Sequence, residues 1–150
     1  MYISEMLFYG EHEHKVDSQG RISLPSRYRD SFRSGIVLSR GPDRCITGYT
    51  PSQWESVADR MSRMGINRSK SRRLRRMTFA LTYHAETDRQ GRAQIPVALK
   101  QYAHIQNLGQ VVIAGMGNFI EIWDQMAWNQ EIEGLEEEAW HIAETSEEQS

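Results

Sequence analysis

A five-residue sequence, Asp-x-Gln-Gly-Arg, occurs twice in this chain, at residues 17–21 and, 71 residues later, at residues 88–92. The flanking residues repeat as well: a histidine before each copy and an aliphatic residue followed by proline after it, at His14, His84, Leu24-Pro25 and Ile95-Pro96. Repetition at a fixed spacing is typical of a duplicated structural unit. The 150 residues are therefore predicted to contain two copies of one small unit.

Each copy of the repeated sequence lies between two short runs of alternating apolar and polar residues. This pattern predicts a β-hairpin whose glycine sits at the tip. A short helix that begins at proline, a second hairpin and a long amphipathic helix are expected to follow in each half, which gives an α+β fold. Thr50 is expected to cap the first long helix and Asp124 the last.

Three apolar stripes occur at helical spacing, and the first two are expected to be buried. The first lies on the long helix of the first half, the second on a basic helix predicted to run from Asn67-Arg68-Ser69 to about Thr82, and the third on the last helix. Their members are Trp54, Val57, Ala58, Met61 and Met64; Leu74, Met77 and Leu81; and Trp128, Ile132, Leu135 and Ala139.

Charge is distributed unevenly along the chain, although the net charge is only −2. Residues 1–100 contain all 18 basic residues and 10 acids, a net charge of +8, whereas residues 101–150 contain 10 acids and no base, a net charge of −10. Eight of the basic residues lie between Arg60 and Arg76. Two interpretations remain open: the arginines pair with the acidic end or with a neighbouring subunit, or they form a surface for nucleic acid.

The repeated turn allows a structural role and a functional one. The aspartate can accept hydrogen bonds from backbone N–H groups of the turn, glycine supplies a positive φ, and the arginine can pair with the aspartate. This lock is predicted in both copies, through Asp17 with Arg21 and Asp88 with Arg92. A rigid tip can also present arginine and amide groups to DNA. The first tip is the stronger DNA candidate, because Lys15, Arg27 and Arg29 flank it in the sequence.

No residue pattern favours an enzyme or a bound cofactor. His12 and His14 share a strand face, but two ligands without a third are weak evidence for zinc, so no metal site is predicted. The single cysteine, Cys45, is expected to be a buried apolar residue. No apolar run approaches the roughly 18 residues of a membrane span, and no signal-peptide pattern opens the chain, so a cytoplasmic protein is expected.

The duplicated hairpin, the Leu24-Pro25-x-x-Tyr28-Arg29 that follows its first copy, the arginine-rich linker and the tryptophan-containing helices resemble the MraZ family, over almost the whole chain to about residue 140. That family belongs to the AbrB/MazE/SpoVT-like group. The resemblance implies duplicated swapped-hairpin β-barrel units, each followed by a helix. The expected divisions are a first repeat at 1–66, a basic linker helix at 67–83, a second repeat with the C-terminal helix at 84–143, and a disordered acidic tail at 144–150.

The resemblance also implies a function. Family members are bacterial transcriptional regulators that form ring-shaped homo-oligomers, and they bind direct repeats in double-stranded DNA upstream of the division and cell-wall gene cluster, which they typically repress. We accordingly expect a nucleoid-associated protein whose DNA-binding residues are Lys15, Ser18, Gln19, Gly20 and Arg21. Many members have lysine where this chain has Gln19, so its affinity or preferred sequence is expected to differ.

Two other functions within the same fold remain open. One is a structural or partner-binding ring without DNA specificity. The other is an antitoxin-like role, against which the second repeat argues, because antitoxins of this group usually have one such unit and a disordered toxin-binding tail.

Overall fold

The structure is a computed structural model that describes residues 7–65 and 69–149, which form a mixed α+β fold with antiparallel sheets. The eight strands of this part of the chain are β1 Glu11–Lys15, β2 Arg21–Ser23, β3 Ile36–Arg40, β4 Ile46–Tyr49, β5 Tyr83–Ala85, β6 Arg92–Gln94, β7 Gln110–Gly115 and β8 Ile120–Asp124. Its α-helices are α1 Pro51–Ser62, α2 Ser69–Arg75, α3 Val97–Tyr102 and α4 Gln125–Gln149. A π-helical turn, Arg76–Ala80, continues α2, and 3₁₀ turns occupy Ser26–Tyr28 and Pro42–Arg44.

The strands of the two halves alternate within shared sheets. The larger sheet has the order β1-β7-β8-β4-β3-β5, and the smaller one pairs β2 with β6. Because β1 to β4 correspond to β5 to β8, exchanging the halves reproduces the same order. The duplication in the sequence therefore appears as an approximate twofold symmetry in the fold.

The first predicted hairpin of each half is wrong in its pairing. Strand β1 pairs with β7 and strand β2 with β6, so the two strands that flank the first turn find their partners in the other half. The later hairpins form as predicted, β3 with β4 and β7 with β8. Alternation identifies a strand and glycine marks a turn, but neither specifies which edge the strand joins.

The histidines that precede the two turns occupy equivalent positions in the larger sheet. His14 lies opposite Val111, and His84 lies opposite Val37, which is the residue 74 positions before Val111. Two residues lie between His14 and Asp17, but three lie between His84 and Asp88. The second half thus contains one extra residue between the strand and the turn.

One hydrophobic core serves both halves. Phe8, Ile22 and Tyr28 from the first half lie in the same buried cluster as Leu99 and Ile113 from the second. The 3₁₀ turn after Pro25 takes the place of the predicted short helix and directs Tyr28 into this core. Neither half buries its strands or its apolar side chains alone.

The helix caps form as predicted. The Thr50 hydroxyl accepts a hydrogen bond from the Gln53 backbone N–H at 3.2 Å, and a carboxylate oxygen of Asp124 accepts one from Ala127 N–H at 3.1 Å. Both side chains satisfy donors that the first turn of a helix leaves without partners.

The predicted burial of the first two apolar stripes is largely wrong. On α1 only Trp54 is buried, and Met64 beyond its end is exposed. Leu74 and Met77 of the basic helix are 37% and 42% exposed, and Leu135 of α4 is 46% exposed. Spacing shows which side chains share a helix face, but burial depends on what packs against that face.

The prediction of a disordered tail at 144–150 also differs from the structure, because α4 continues to Gln149. No proline or glycine follows Gly134, and glutamate and alanine favour the helical state. Of the predicted start of the basic helix, Asn67 and Arg68 lie outside the described residues. No helix of the described residues is long and apolar enough to cross a membrane.

The shared core leads to a paired test on α3. Leu99 is fully buried and Val97 is 63% exposed, so Leu99→Ala is expected to lower the free energy of unfolding by about 2–5 kcal/mol. Val97→Ala, the matched control, is expected to change it by less than about 0.5 kcal/mol. Chemical denaturation measures both, and similar effects at the two positions would contradict the core described above.

Candidate nucleic-acid interface

The first turn, residues 17–21, is organised around the carboxylate of Asp17. One of its oxygens accepts hydrogen bonds from the backbone N–H groups of Gln19 at 2.9 Å and Arg21 at 2.8 Å. The other accepts one from Arg21 Nε at 2.7 Å. The backbone closes the same turn, since Asp17 N–H donates to the Arg21 carbonyl and Gly20 N–H donates to the Asp17 carbonyl.

The second turn, residues 88–92, has the same geometry. Asp88 accepts from Gln90 N–H at 3.0 Å, from Arg92 N–H at 2.9 Å and from Arg92 Nε at 2.7 Å. Gly20 and Gly91 have φ angles of +79° and +74°, a region that side chains with a Cβ rarely adopt. The two copies therefore share one local structure.

Hydrogen bonding favours the charged form of both aspartates. The Arg21 backbone N–H is the largest cause that lowers the pKa of Asp17, and the Arg21 side chain and the Gln19 N–H act in the same direction. The pKa of Asp88 is lowered in the same way, first by the Arg92 N–H. Both carboxylates thus stay ionised below the pH at which an ordinary aspartate becomes protonated.

Each turn packs against a basic residue of the other half. A Cβ built on Gly20 would lie 2.6 Å from Lys100 Nζ, and one built on Gly91 would lie 2.6 Å from Arg29 Cδ. Lys100 and Arg29 are 71 residues apart and hence equivalent. Arg29 was expected beside the first turn, but it packs beneath Gly91 of the second, because the strands are exchanged between the halves.

The second turn is as basic as the first. Arg29, Arg33 and Arg89 line one cavity beside it, together with Asp30 and Asp88. Arg89 occupies the position that Ser18 has in the first turn. The basic surroundings that made the first tip the stronger DNA candidate are therefore matched at the second turn.

The ribbon formed by β2 and β6 brings the two turns together. Ile22 and Ala93 point into the core, with 1% exposure each. Since side chains alternate along a strand, the outward face contains Arg21 opposite Gln94 and Ser23 opposite Arg92. Arg21 and Arg92 are diagonal neighbours on this face, a relation that corresponds to about 7–8 Å.

Sequence reasoning missed this shared face. It treated the two turns as separate sites, and the pairing of β2 with β6 is not apparent from either strand alone. The available signal was the equal offset of the repeat, which makes β2 and β6 equivalent strands of the two halves.

The remaining predicted DNA-contacting residues lie around the first turn. Lys15 ends β1, and Ser18 and Gln19 are exposed. The backbone carbonyls of Ser18 and Gln19 accept hydrogen bonds from Asn107 Nδ2 at 3.3 Å and Gln94 Nε2 at 2.7 Å. These bonds fix the turn and leave the side chains of Ser18 and Gln19 directed to solvent.

The histidines and the cysteine, the residue types that bind metals or act as nucleophiles, are held in contacts typical of structural residues. His12 lies against the Tyr28 ring and within 3.1 Å of its hydroxyl, and burial is the main cause that lowers the pKa of His14. Cys45 is buried, its Sγ donates to the Pro42 carbonyl at 3.2 Å, and burial raises the thiol pKa far above its usual range. The described residues contain no group of three or more potential metal ligands.

Comparison with known proteins gives a consistent match along the chain. The sequence model of the family described as "MraZ protein, putative antitoxin-like" matches twice, at residues 7–77 and 78–148. A protein of Dehalococcoides mccartyi strain BAV1 named transcriptional regulator MraZ is 40% identical over 143 residues, covering 95% of this chain and 99% of the relative. The Roseiflexus castenholzii protein of the same name is 37% identical over 133 residues, covering 89% and 92%.

The Asp–Arg contacts predict a pH dependence. A lowered pKa in the folded state adds stability above the unfolded-state pKa of about 4, and that stability is lost as the pH falls through the folded-state pKa. The double substitution Asp17→Asn/Asp88→Asn is therefore expected to lower the free energy of unfolding at pH 7. Its difference from wild type should shrink below about pH 4, where the wild-type carboxylates become protonated. A difference that stays constant between pH 7 and pH 3 in denaturation experiments would exclude these contacts as the cause.

Proposed function

The chain belongs to the MraZ family, and from that relationship we propose that it is a sequence-specific, DNA-binding transcriptional regulator. In this proposal it binds direct repeats of double-stranded DNA in its own promoter as a ring-shaped homo-oligomer. It represses the division and cell-wall gene cluster and works in the cytoplasm at the nucleoid. The family is one of transcriptional regulators, and the protein is not an enzyme.

The observation that carries the proposal is the outward face of the β2–β6 ribbon. A two-stranded β-ribbon fits the major groove of B-DNA, where base edges are distinguishable. Arg21 and Arg92 each use Nε to bind their aspartate, which orients the guanidinium group. Among the described residues the terminal nitrogens have no other partner, so they can donate to phosphate oxygens or to guanine. Holding the arginines in place before binding reduces the entropy lost on forming the complex.

The residues of the first turn have distinct roles in this proposal. Lys15 contacts phosphate, and Ser18 and Gln19 are exposed where they can donate to base edges or phosphates. Gly20 permits the close approach of Lys100 beneath the turn. Glutamine forms bidentate hydrogen bonds with adenine, whereas a lysine at the same place would add a positive charge that attracts phosphate. Gln19 is therefore expected to give weaker binding to DNA of any sequence and a stronger preference for particular bases.

Strand exchange between the halves supports assignment to the swapped-hairpin, AbrB-like class. In the proposed arrangement each repeat contributes strands to a barrel that the other repeat completes, within one chain. The pairing of β1 with β7 and of β5 with β3 is the observation that supports it.

Ring assembly explains how weak contacts become a useful affinity. Each ribbon presents few cations to DNA, so one subunit alone is expected to bind weakly. Joining several subunits makes the later contacts intramolecular, and the gain depends on a match between subunit spacing and repeat spacing. Direct repeats are the form of operator that such a series of equivalent ribbons would bind.

The first test is removal of Arg21. Arg21→Ala is expected to abolish the shift of the upstream DNA in a gel assay and to leave the oligomer mass unchanged. The reason is that one bidentate base contact is worth about 1–3 kcal/mol and is lost in every subunit. Arg60→Ala, which removes an exposed arginine of α1, is the matched control.

Arg92→Ala distinguishes a ribbon from a single tip. The ribbon predicts a loss of affinity comparable to that of Arg21→Ala, whereas a single reading tip predicts wild-type binding. If Arg21→Ala binds as tightly as wild type, the turn is only a structural lock. A well-formed oligomer that fails to bind the upstream DNA at all would instead favour the ring without DNA specificity.

The second test concerns Gln19 and salt. Binding is expected to weaken as salt rises, because phosphate contacts release counterions. Gln19→Lys is expected to strengthen binding to unrelated DNA and to make the slope of log affinity against log salt steeper by about one for each turn engaged. A flat salt response of the wild type in fluorescence anisotropy would argue against phosphate contacts.

A further inference from the structure

A strongly cationic surface lies away from the β2–β6 ribbon. Helix α2, the π-helical turn after it and the loop between β3 and β4 enclose an open groove of about 680 Å³. We call it the basic groove. Its lining includes five cationic residues and three exposed or half-exposed apolar ones; they are Arg40, Arg44, Lys70, Arg73 and Arg76, with Leu74, Met77 and Leu81.

The charges of the basic groove are not neutralised within the described chain. None of its five cationic residues is in the ion pairs formed by residues 7–65 and 69–149. Arg40 and Arg44 both approach the Tyr102 ring, with guanidinium carbons 4.9 and 4.8 Å from its centroid. Arg40 Nε is buried without a hydrogen-bond partner among the described atoms. Gathering like charges is unfavourable, so an anionic partner that also covers the apolar side chains would stabilise this surface.

The outer part of α4 has the opposite character. Residues 131–146 are exposed apart from half-buried Ile132, so this part of the helix is not packed against the rest of its own chain. Ile132, Leu135, Ala139 and Ile142 recur at intervals of three, four and three, which is the seam of a helix that packs lengthwise against another. We call this the acidic seam, because Glu131, Glu136 and Glu138 flank it and α4 contains no lysine or arginine.

We propose that the acidic seam of one copy docks into the basic groove of a second copy. Both surfaces combine an exposed apolar stripe with charges of one sign, and the signs are opposite. The contact would cover Leu74 and Met77 with Leu135 and Ile142, and it would place glutamates beside the uncompensated arginines. The inference rests on the self-assembly part of the proposed function and not on DNA recognition.

Charge disfavours the symmetrical alternative. Two α4 seams packed against each other would bring glutamates together, and two basic grooves would bring arginines together, so each self-contact is repulsive. DNA could neutralise the arginines, but it would leave the stripe of Leu74 and Met77 uncovered and the acidic seam without a partner. The second copy accounts for both surfaces at once.

The proposed contact joins two different surfaces, so it is head-to-tail. Such contacts repeat from copy to copy and close into a ring when the rotation between neighbours divides a full turn. The outer part of α4, residues 131–149, is about 28 Å long.

Charge reversal tests the contact with the full chain and without DNA. Arg73→Glu/Arg76→Glu reverses the groove, and Glu136→Lys/Glu138→Lys reverses the seam. Each pair is expected to raise the concentration needed for assembly about tenfold or more, measured by sedimentation velocity. The variant with all four substitutions is expected to recover assembly, because the signs are complementary again.

The control is Glu133→Lys/Glu137→Lys, which makes the same charge change on the face of α4 away from the seam, and it is expected to assemble as wild type. All the substituted residues are exposed, so thermal unfolding should confirm that each variant is folded. A monomeric wild type would overturn the self-assembly proposal and this inference together. If the groove variant and the seam variant both assemble as wild type does, only this inference is overturned. A groove variant that assembles normally but no longer binds DNA would also overturn it, and would assign the basic groove to DNA.

Discussion

Strand exchange between the two halves is the constraint on which the other features depend. Because β1 pairs with β7 and β2 with β6, neither repeat has a complete set of strand partners of its own. Unpaired strand edges are unfavourable and promote aggregation, so each repeat requires the other. The same exchange places Tyr28 and Leu99 in one core. Each repeat is therefore a unit of the sequence, but the two repeats fold together as one unit.

The strand exchange also gives the repeated motif a second structural role. Within either half, the Asp–Arg contact only closes a turn. Because β2 pairs with β6, the two Asp–Arg contacts hold Arg21 and Arg92 on one ribbon face. The same pairing packs Gly20 against Lys100 and Gly91 against Arg29. The surface proposed to bind DNA thus arises from a local contact that is repeated, together with a strand pairing that neither copy determines alone.

The sequence predicted local features well and long-range ones poorly. The repeat, the turn geometry, the caps at Thr50 and Asp124 and the later hairpins are determined by residues close in sequence, and the structure contains them. Strand partners and stripe burial depend on distant surfaces, so the pairing of β1 and the exposure of Met77 differ from expectation. The placement of Arg29 beneath Gly91 follows from the same cause, since it is a contact between halves.

The uneven charge of the chain becomes intelligible in the proposed assembly. A protein with a net charge of −2 would be repelled by DNA if its charges were mixed evenly. In the proposed head-to-tail contact, Glu131, Glu136 and Glu138 of α4 lie beside the groove arginines of a neighbour, which removes these three acids from the surface that faces DNA. Lys15, Arg21, Arg89 and Arg92 remain around the ribbon, so the surface offered to DNA is positive although the chain is not. Assembly and DNA binding are then linked through charge, because three of the acids that would repel DNA, Glu131, Glu136 and Glu138, are used to join the subunits.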